Sequence, residues 1–254
     1  MKNVNYKKMN CAECMEGAGL DFGFTMAYQP IFDLQNQKVF AHEALVRGTN
    51  GESAYSILSK INDENRYRFD QTCRVKAIEL ASRLKMDSFL SINFLPNAIY
   101  NPETCIRTTI EASEKYNFRI NKLILEVTEG EKVEDHAHLL SIIKEYKRQG
   151  IKTAIDDFGA GYSGLNLLAE FQPDYIKIDM ALVRGIDKDR IRRSIIKGIM
   201  LVCHEIQIDV IAEGIETEEE FKTLRDLGIN YIQGYYFCRP VFEGLGNYNF
   251  NESR

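Results

Sequence analysis

Residues 153–179 read TAIDDFGAGYSGLNLLAEFQPDYIKID, and their ionisable side chains sit where two extended runs end. Thr153-Ala154-Ile155 leads into adjacent acids, Asp156 and Asp157, followed by a Gly-rich turn and a short helical segment. The next run, Tyr175 to Ile178, carries Lys177 and stops at Asp179. Consecutive side chains on a strand face opposite ways, but at a strand's end two neighbouring carboxylates can both lean toward one ligand. Two acids beside a lysine make a cation site with a built-in counter-charge, a combination suited to hydrolysis of phosphate esters.

Other β-type runs deliver similar groups. Reading their carboxyl ends in order gives Glu43, Asn93, Glu126, Asp156 with Asp157, Lys177 with Asp179, Glu213 and Gln233, while the first run contributes Gln29. Each has an ordinary alternative: Glu43 can pair with Arg47, Glu126 can be an edge charge, and Asp179 can cap a helix at Met180. A whole ring of acids is harder to explain structurally, because buried like charges repel and call for a cation. Oxygen donors such as Glu, Asn and Asp suit a hard ion, Mg²⁺ or Mn²⁺. Zinc is poorly supported, since the four histidines form no HExxH, and His136 and His138 fall on different faces of a helix. Phe158, Tyr162 and Tyr235 are aromatic candidates for stacking on a base or for the core.

The elements that must position these groups alternate. Extended runs fall at 24–31, 38–46, 88–94, 122–127, 152–156, 174–178, 208–212 and 230–236. Helical patterns lie between several of them. Val133, Ala137, Leu140 and Ile143 form one stripe within 132–149, stopped by Gly150, and Ile195, Ile199, Val202 and Ile206 form another. Thr217-Glu218-Glu219-Glu220 is a capping box opening a helix with Leu224 and Leu227. The turn at Gln35-Asn36-Gln37 is too short for a crossover, so the first two strands must be antiparallel. The alternation predicts an α/β fold, a TIM-like (β/α)₈ barrel with an antiparallel first strand pair, over an open doubly wound sheet.

Composition is that of an ordinary soluble domain: 254 residues, 44% hydrophobic, 27% charged, with a formal net charge of −5. The acidic balance argues against a general nucleic-acid grip, though a metal can supply the charge a nucleotide ligand needs. No apolar run reaches membrane-spanning length, so no membrane association is expected. Four of the six cysteines sit in core-like segments, as expected of reduced thiols in the cytoplasm. The others, Cys11 and Cys14, form a lone CxxC in an N-terminal extension (1–20), ahead of one domain (21–245) and a tail (246–254).

The same residues lie in motifs that resemble the EAL-domain cyclic di-GMP phosphodiesterases. These are YQPIF at 28–32, HEALVRG at 42–48, INFLP at 92–96, LEVTE at 125–129, DDFGAGYSGL at 156–165, IKID at 176–179, IAEGIET at 211–217 and QGYYFCRP at 233–240. The resemblance implies hydrolysis of one phosphodiester bond of cyclic di-GMP to linear diguanylate (pGpG), in bacterial second-messenger signalling, with Mg²⁺ or Mn²⁺, two ions per site. By resemblance Glu43, Asn93, Glu126 and Asp156 are ligands of the first ion, and Asp157 helps hold a second. Lys177 contacts the attacking water, and Glu213 is a metal ligand or base. Gln29, Arg47, Asp179 and Gln233 bind substrate or frame the site, and Glu129 braces the loop from Phe158 to Gly164. A homodimer is also implied. Leu95, Ala160 and Gly164 depart from the commoner family residues, but none removes a ligand or a charge. The alternatives are a non-catalytic cyclic di-GMP receptor or a protein-interaction module.

Overall fold

The predicted hairpin forms between β1 (Phe24–Asp33) and β2 (Lys38–Gly48). The Asp33 carboxylate accepts the Asn36 N–H at 3.0 Å, and Gln37 takes a left-handed φ of 49° to reverse the chain. Six parallel strands follow: β3 (Phe89–Asn93), β4 (Leu123–Thr128), β5 (Lys152–Phe158), β6 (Tyr175–Ile178), β7 (Asp209–Ala212) and β8 (Tyr231–Ile232). β8 pairs back onto β1, which also pairs with β2, so the sheet closes into an eight-stranded barrel and the open-sheet alternative fails. β1 is antiparallel to both neighbours. A short β9 (Val241–Phe242) adds to the N-terminal half of β1. The computed structural model describes residues 20–99, 101–128, 136–161 and 164–246. Cys11, Cys14, Glu129, Tyr162 and all but the first residue of the predicted tail lie outside these residues.

Helices surround the barrel: α1 (Ala54–Leu58), α2 (Arg66–Arg83), α3 (Pro102–Lys115), α4 (His136–Arg148), α5 (Gly164–Glu170), α6 (Met180–Val183), α7 (Arg190–Glu205) and α8 (Glu218–Asp226). None is long and apolar enough to cross a membrane. The capping box at Thr217 is present, with Glu220 reaching back to the N-cap backbone. Two expected stripes meet the structure only in part. On α4 Ile143 is buried and Leu140 packs partly against the core, but Ala137 is exposed and Val133 lies outside the described residues, while Leu139, Ile142 and Tyr146 are buried beside them. On α7 Ile196 and Cys203 are buried, whereas Ile195, Val202 and Ile206 are exposed. Both helices carry apolar residues on more than one side, so the period identifies a helix without fixing which side packs.

The predicted run 230–236 also shortens to Tyr231–Ile232. Beyond it Gly234 lies so close to the Ile215 backbone that a Cβ would sit 2.1 Å from its carbonyl oxygen, and the chain turns away from the barrel.

Side chains inside the barrel fall into two layers. Ile31, Phe40, Ala41, Ile124, Ala154, Tyr175 and Ile211 form an apolar cluster packed against Phe89 and Tyr231, with the Phe40 and Tyr231 rings 4.4 Å apart. Two residues farther along each parallel strand, on the same face, the inward groups become polar. Ile124 is followed by Glu126, Ala154 by Asp156, Tyr175 by Lys177 and Ile211 by Glu213. On the reversed β1 the order inverts, so Gln29 precedes Ile31 and lies opposite Glu43. The apolar layer closes one end of the barrel, and each large side chain it buries contributes roughly 1.5–3 kcal/mol. The polar layer lies toward the carboxyl ends, where function is built in such barrels.

Candidate active site

Lys177 is the centre of the polar layer. It is fully buried on β6, and its ammonium lies 2.7 Å from Glu213, 2.9 Å from Glu126, 2.9 Å from Asp156 and 3.5 Å from Glu43. Burial alone would lower its pKa, but these four acids reverse that and hold it well above the ordinary lysine value. The cost falls on the acids. Burial, together with Glu43 and Asp156, pushes Glu126 up to about 8 despite Lys177. Burial and the same like charges raise Glu213 well above the usual carboxylate range.

Asp157 reaches the site through a backbone irregularity. Opposite β6, the pairing runs Ile155 with Ile176 and then Phe158 with Ile178, so Asp156 and Asp157 together face Lys177 across one position. Asp157 adopts a left-handed φ of 54°. This bulge re-aims one side chain, allowing two adjacent residues to serve one mouth. Burial, followed by repulsion from Asp156 and Asp179, raises Asp157 to about 6.

The remaining candidates frame this centre. Asn93 donates to Glu43 at 3.2 Å, and Gln233 donates to the other Glu43 oxygen at 2.8 Å. Gln29 donates to the Cys238 carbonyl at 3.1 Å, which ties β1 to the segment after β8. Asp179 is the N-cap of α6, accepting the Ala181 N–H at 2.8 Å, so its capping reading holds. It also lines a cavity of about 270 Å³ at the mouth with Gln29, Glu43, Asp157, Glu213 and Gln233. Arg47 is not drawn into the ring. It stands on β2 beyond Glu43 and Leu45, and its guanidinium donates to the Val46 carbonyl at 2.7 Å. Phe158 is buried in the core, whereas Tyr235 is half-exposed at the mouth beneath Arg239. A larger cavity of about 760 Å³ opens alongside, between the outer face of β2 and helices α1 and α2, and reaches Leu45 and Asn93.

Sequence reasoning missed three supports. Ser91 is fully buried and donates to Glu126; its place two residues before Asn93 on the same strand face was the available signal. Glu220, read only as a cap, also accepts the Gly185 N–H at 2.9 Å and so joins the loop after β6 to the loop after β7. Arg184 pairs with Glu216 across the rim of the same cavity.

The oxygen donors fit a divalent cation. Carboxylate oxygens of Glu43, Glu126 and Asp156 lie within 4.8 Å of one another, and so do those of Asp156, Asp157 and Glu213. The two sets share Asp156. Burial first, and like charges after it, raise Glu126, Asp157 and Glu213, so added positive charge there would favour their ionised forms.

Fold and site together define a (β/α)₈-type barrel with a carboxylate-rich candidate cation site at the strand ends. The EAL domain matches residues 20–240, and the chain belongs to that family, the EAL-domain cyclic di-GMP phosphodiesterases. The blue light- and temperature-regulated antirepressor BluF of Escherichia coli K12 is 32% identical over 220 residues, covering 86% of this chain and 55% of BluF. The chain thus spans about half the length of that curated relative. A standalone versatile EAL protein from Vibrio cholerae O395, solved in its c-di-GMP-bound form, is 53% identical with a TM-score of 0.89, covering 93% of this chain and 100% of that one. BlrP1 of Klebsiella pneumoniae, solved as a manganese/cyclic di-GMP complex, is 36% identical with a TM-score of 0.84, covering 90% of this chain and 58% of that one.

Proposed function

We propose that this chain is a metal-dependent phosphodiesterase that hydrolyses cyclic di-GMP to linear pGpG. The observation that carries the reading is the pair of carboxylate sets sharing Asp156 around Lys177. When ionised, Glu43, Glu126, Asp156, Asp157 and Glu213 place five negative charges against one ammonium, and two divalent cations would balance the remainder. Glu43, Asn93, Glu126 and Asp156 would hold one Mg²⁺ or Mn²⁺, and Asp157, with Asp156 and Glu213, the second. Such ions polarise the attacked phosphate and make water acidic enough to attack at neutral pH.

The chain's own groups supply the rest. Lys177 orients the attacking water and offsets charge building on the phosphate oxygens. Glu213 takes the water proton as the new bond forms to phosphorus, the bond to a ribose 3′ oxygen breaks, and Glu213 passes that proton on to the departing oxygen. Gln29, Asp179 and Gln233 frame the nucleotide, and Arg47 would exchange its contact with the Val46 carbonyl for a bidentate one to the phosphate. Glu129 would brace the loop after β5. The exposed Ile191, Ile195, Leu201 and Val202 on α7 support a homodimer through that helix, and a cytoplasmic enzyme is the expected setting.

A second reading is a receptor or protein-interaction module without turnover, favoured by the likeness to the antirepressor BluF. Chromatography of the products separates the two. Incubation with cyclic di-GMP and Mg²⁺ or Mn²⁺ should yield pGpG, and Glu43→Ala or Asp156→Ala should each lower the rate at least ~100-fold. Tight cyclic di-GMP binding in Ca²⁺ with no product under any metal would sink the enzyme reading and support the receptor.

A further inference from the structure

Asn93 is the one uncharged residue among the proposed cation ligands. Its side-chain nitrogen donates to Glu43, which leaves Oδ1 as the atom available to a cation. The backbone just beyond it is held from two sides. The Phe94 N–H donates to the Glu126 carbonyl at 2.9 Å, and the Leu95 N–H donates to the Asp70 carboxylate at 2.9 Å. Asp70 lies on α2, outside the barrel, and is 2% exposed.

Asp70 is itself fixed. Its second oxygen accepts from Arg74 at 2.7 Å and from Gln71 at 3.1 Å. Arg74 also donates to the Tyr146 hydroxyl on α4 at 2.9 Å, and its guanidinium lies 5.6 Å from the Phe94 ring centroid. Phe94 and Tyr146 meet edge to face at 5.4 Å. A carboxylate held by two groups of its own helix, one of them anchored in turn by Tyr146 on α4, therefore clamps the first backbone positions after Asn93. A buried acid with a partner on its own helix needs no further bond for charge balance. Its remaining oxygen goes to Leu95, a loop residue with one extended φ of −102°.

From this geometry we infer that Asp70 is a positioning residue for Asn93, holding the end of β3 so that the amide oxygen is presented to the cation. The inference rests on the metal-site reading above, but its test does not depend on turnover. Groups that orient a metal ligand from behind typically change metal affinity or activity ~10–100-fold when removed.

The measurement is Mn²⁺ binding to the full chain by calorimetry without nucleotide, alongside the Mn²⁺ dependence and KM of hydrolysis. Asp70→Ala should weaken Mn²⁺ binding about ten-fold and raise the Mn²⁺ needed for half-maximal rate equally, with KM for cyclic di-GMP within about two-fold. Asp70→Asn keeps an acceptor for the Leu95 N–H and should recover most of the affinity even though its melting temperature falls. If Asp70→Ala does not fold, the double variant Asp70→Leu with Arg74→Met removes the buried pair in matched apolar form and is expected to fold. It should show the same ten-fold loss. Folded Asp70→Ala or double variant with wild-type Mn²⁺ affinity would overturn the inference, as would Asp70→Asn as weak as Asp70→Ala. Wild-type protein that binds Mn²⁺ but makes no pGpG would instead sink the phosphodiesterase reading and leave this one standing.

Discussion

Arg74 and Lys177 are both fully buried cations, one outside the strands and one inside them. Arg74 meets one carboxylate, Asp70, and otherwise touches a neutral hydroxyl and two aromatic rings. Burial pushes Asp70 upward against the pull of Arg74, yet the two charges cancel. Lys177 meets four carboxylates, and Asp157 stands just beyond them. The first arrangement is electrically closed and can only hold things in place. The second gathers more carboxylates than its one ammonium can balance when they are ionised, and on the proposed reading that surplus is what calls for cations.

The sharpest way to break this comparison is to remove each cation in turn. Arg74→Met should destabilise the protein by about 3–5 kcal/mol, the usual cost of leaving one buried partner alone, and saturating Mn²⁺ should not restore the loss. Lys177→Met should also lower the melting temperature, because its carboxylates lose their counter-charge. There Mn²⁺ should recover most of the stability while pGpG formation stays abolished. Thermal melts with and without Mn²⁺ check both. If the two variants respond to the metal alike, the distinction between closed and open charge clusters is wrong.

A smaller effect is expected from metal on the wild-type protein. An ion that binds only the folded state adds about 2.7 kcal/mol at a hundred times its dissociation constant, roughly 5–10 °C for a chain of this size. Arg74→Met should keep about half of that increment or more, since it removes no carboxylate of either set and even a ten-fold weaker affinity through a loosened Asp70 costs about 1.4 kcal/mol of it. Asp156→Ala should lose most of it, because both carboxylate sets use Asp156. An unshifted melt in wild type, or a full shift in Asp156→Ala, would remove the case for cation sites at the strand ends.

Much of the open cluster was legible because strand periodicity is short and strict. Once the strand ends were placed, Glu43, Asn93, Glu126, Asp156, Lys177 and Glu213 followed on one inner face. What lay beyond local rules was not legible. The left-handed φ at Asp157 and the bulge depend on pairing with β6, and no propensity announces them. The stripes on α4 and α7 were legible only in part, with Ile143, Leu140 and Ile199 against the core and Ala137, Ile195 and Val202 outside it, because those helices are apolar on several sides and only tertiary contact selects one. The closed cluster was invisible altogether: an Asp four residues before an Arg on a helix reads as a routine solvent-exposed pair.

That last ambiguity has a control close to the same helix. Asp63 and Arg66, at the start of α2, make a contact of 2.8 Å, against 2.7 Å for Asp70 and Arg74. The geometry is nearly equal; the surroundings are not. The Asp63 side chain is 91% exposed, so water already satisfies it, salt screens it, and the long Arg66 side chain gives up freedom to hold the contact. Asp63→Asn should therefore leave the melting temperature within about one degree of wild type and leave Mn²⁺ binding unchanged. A large loss from Asp63→Asn, comparable with that of Arg74→Met, would mean that distance rather than burial sets the worth of these pairs. The difference between brace and site could then no longer be argued from which charges water is denied.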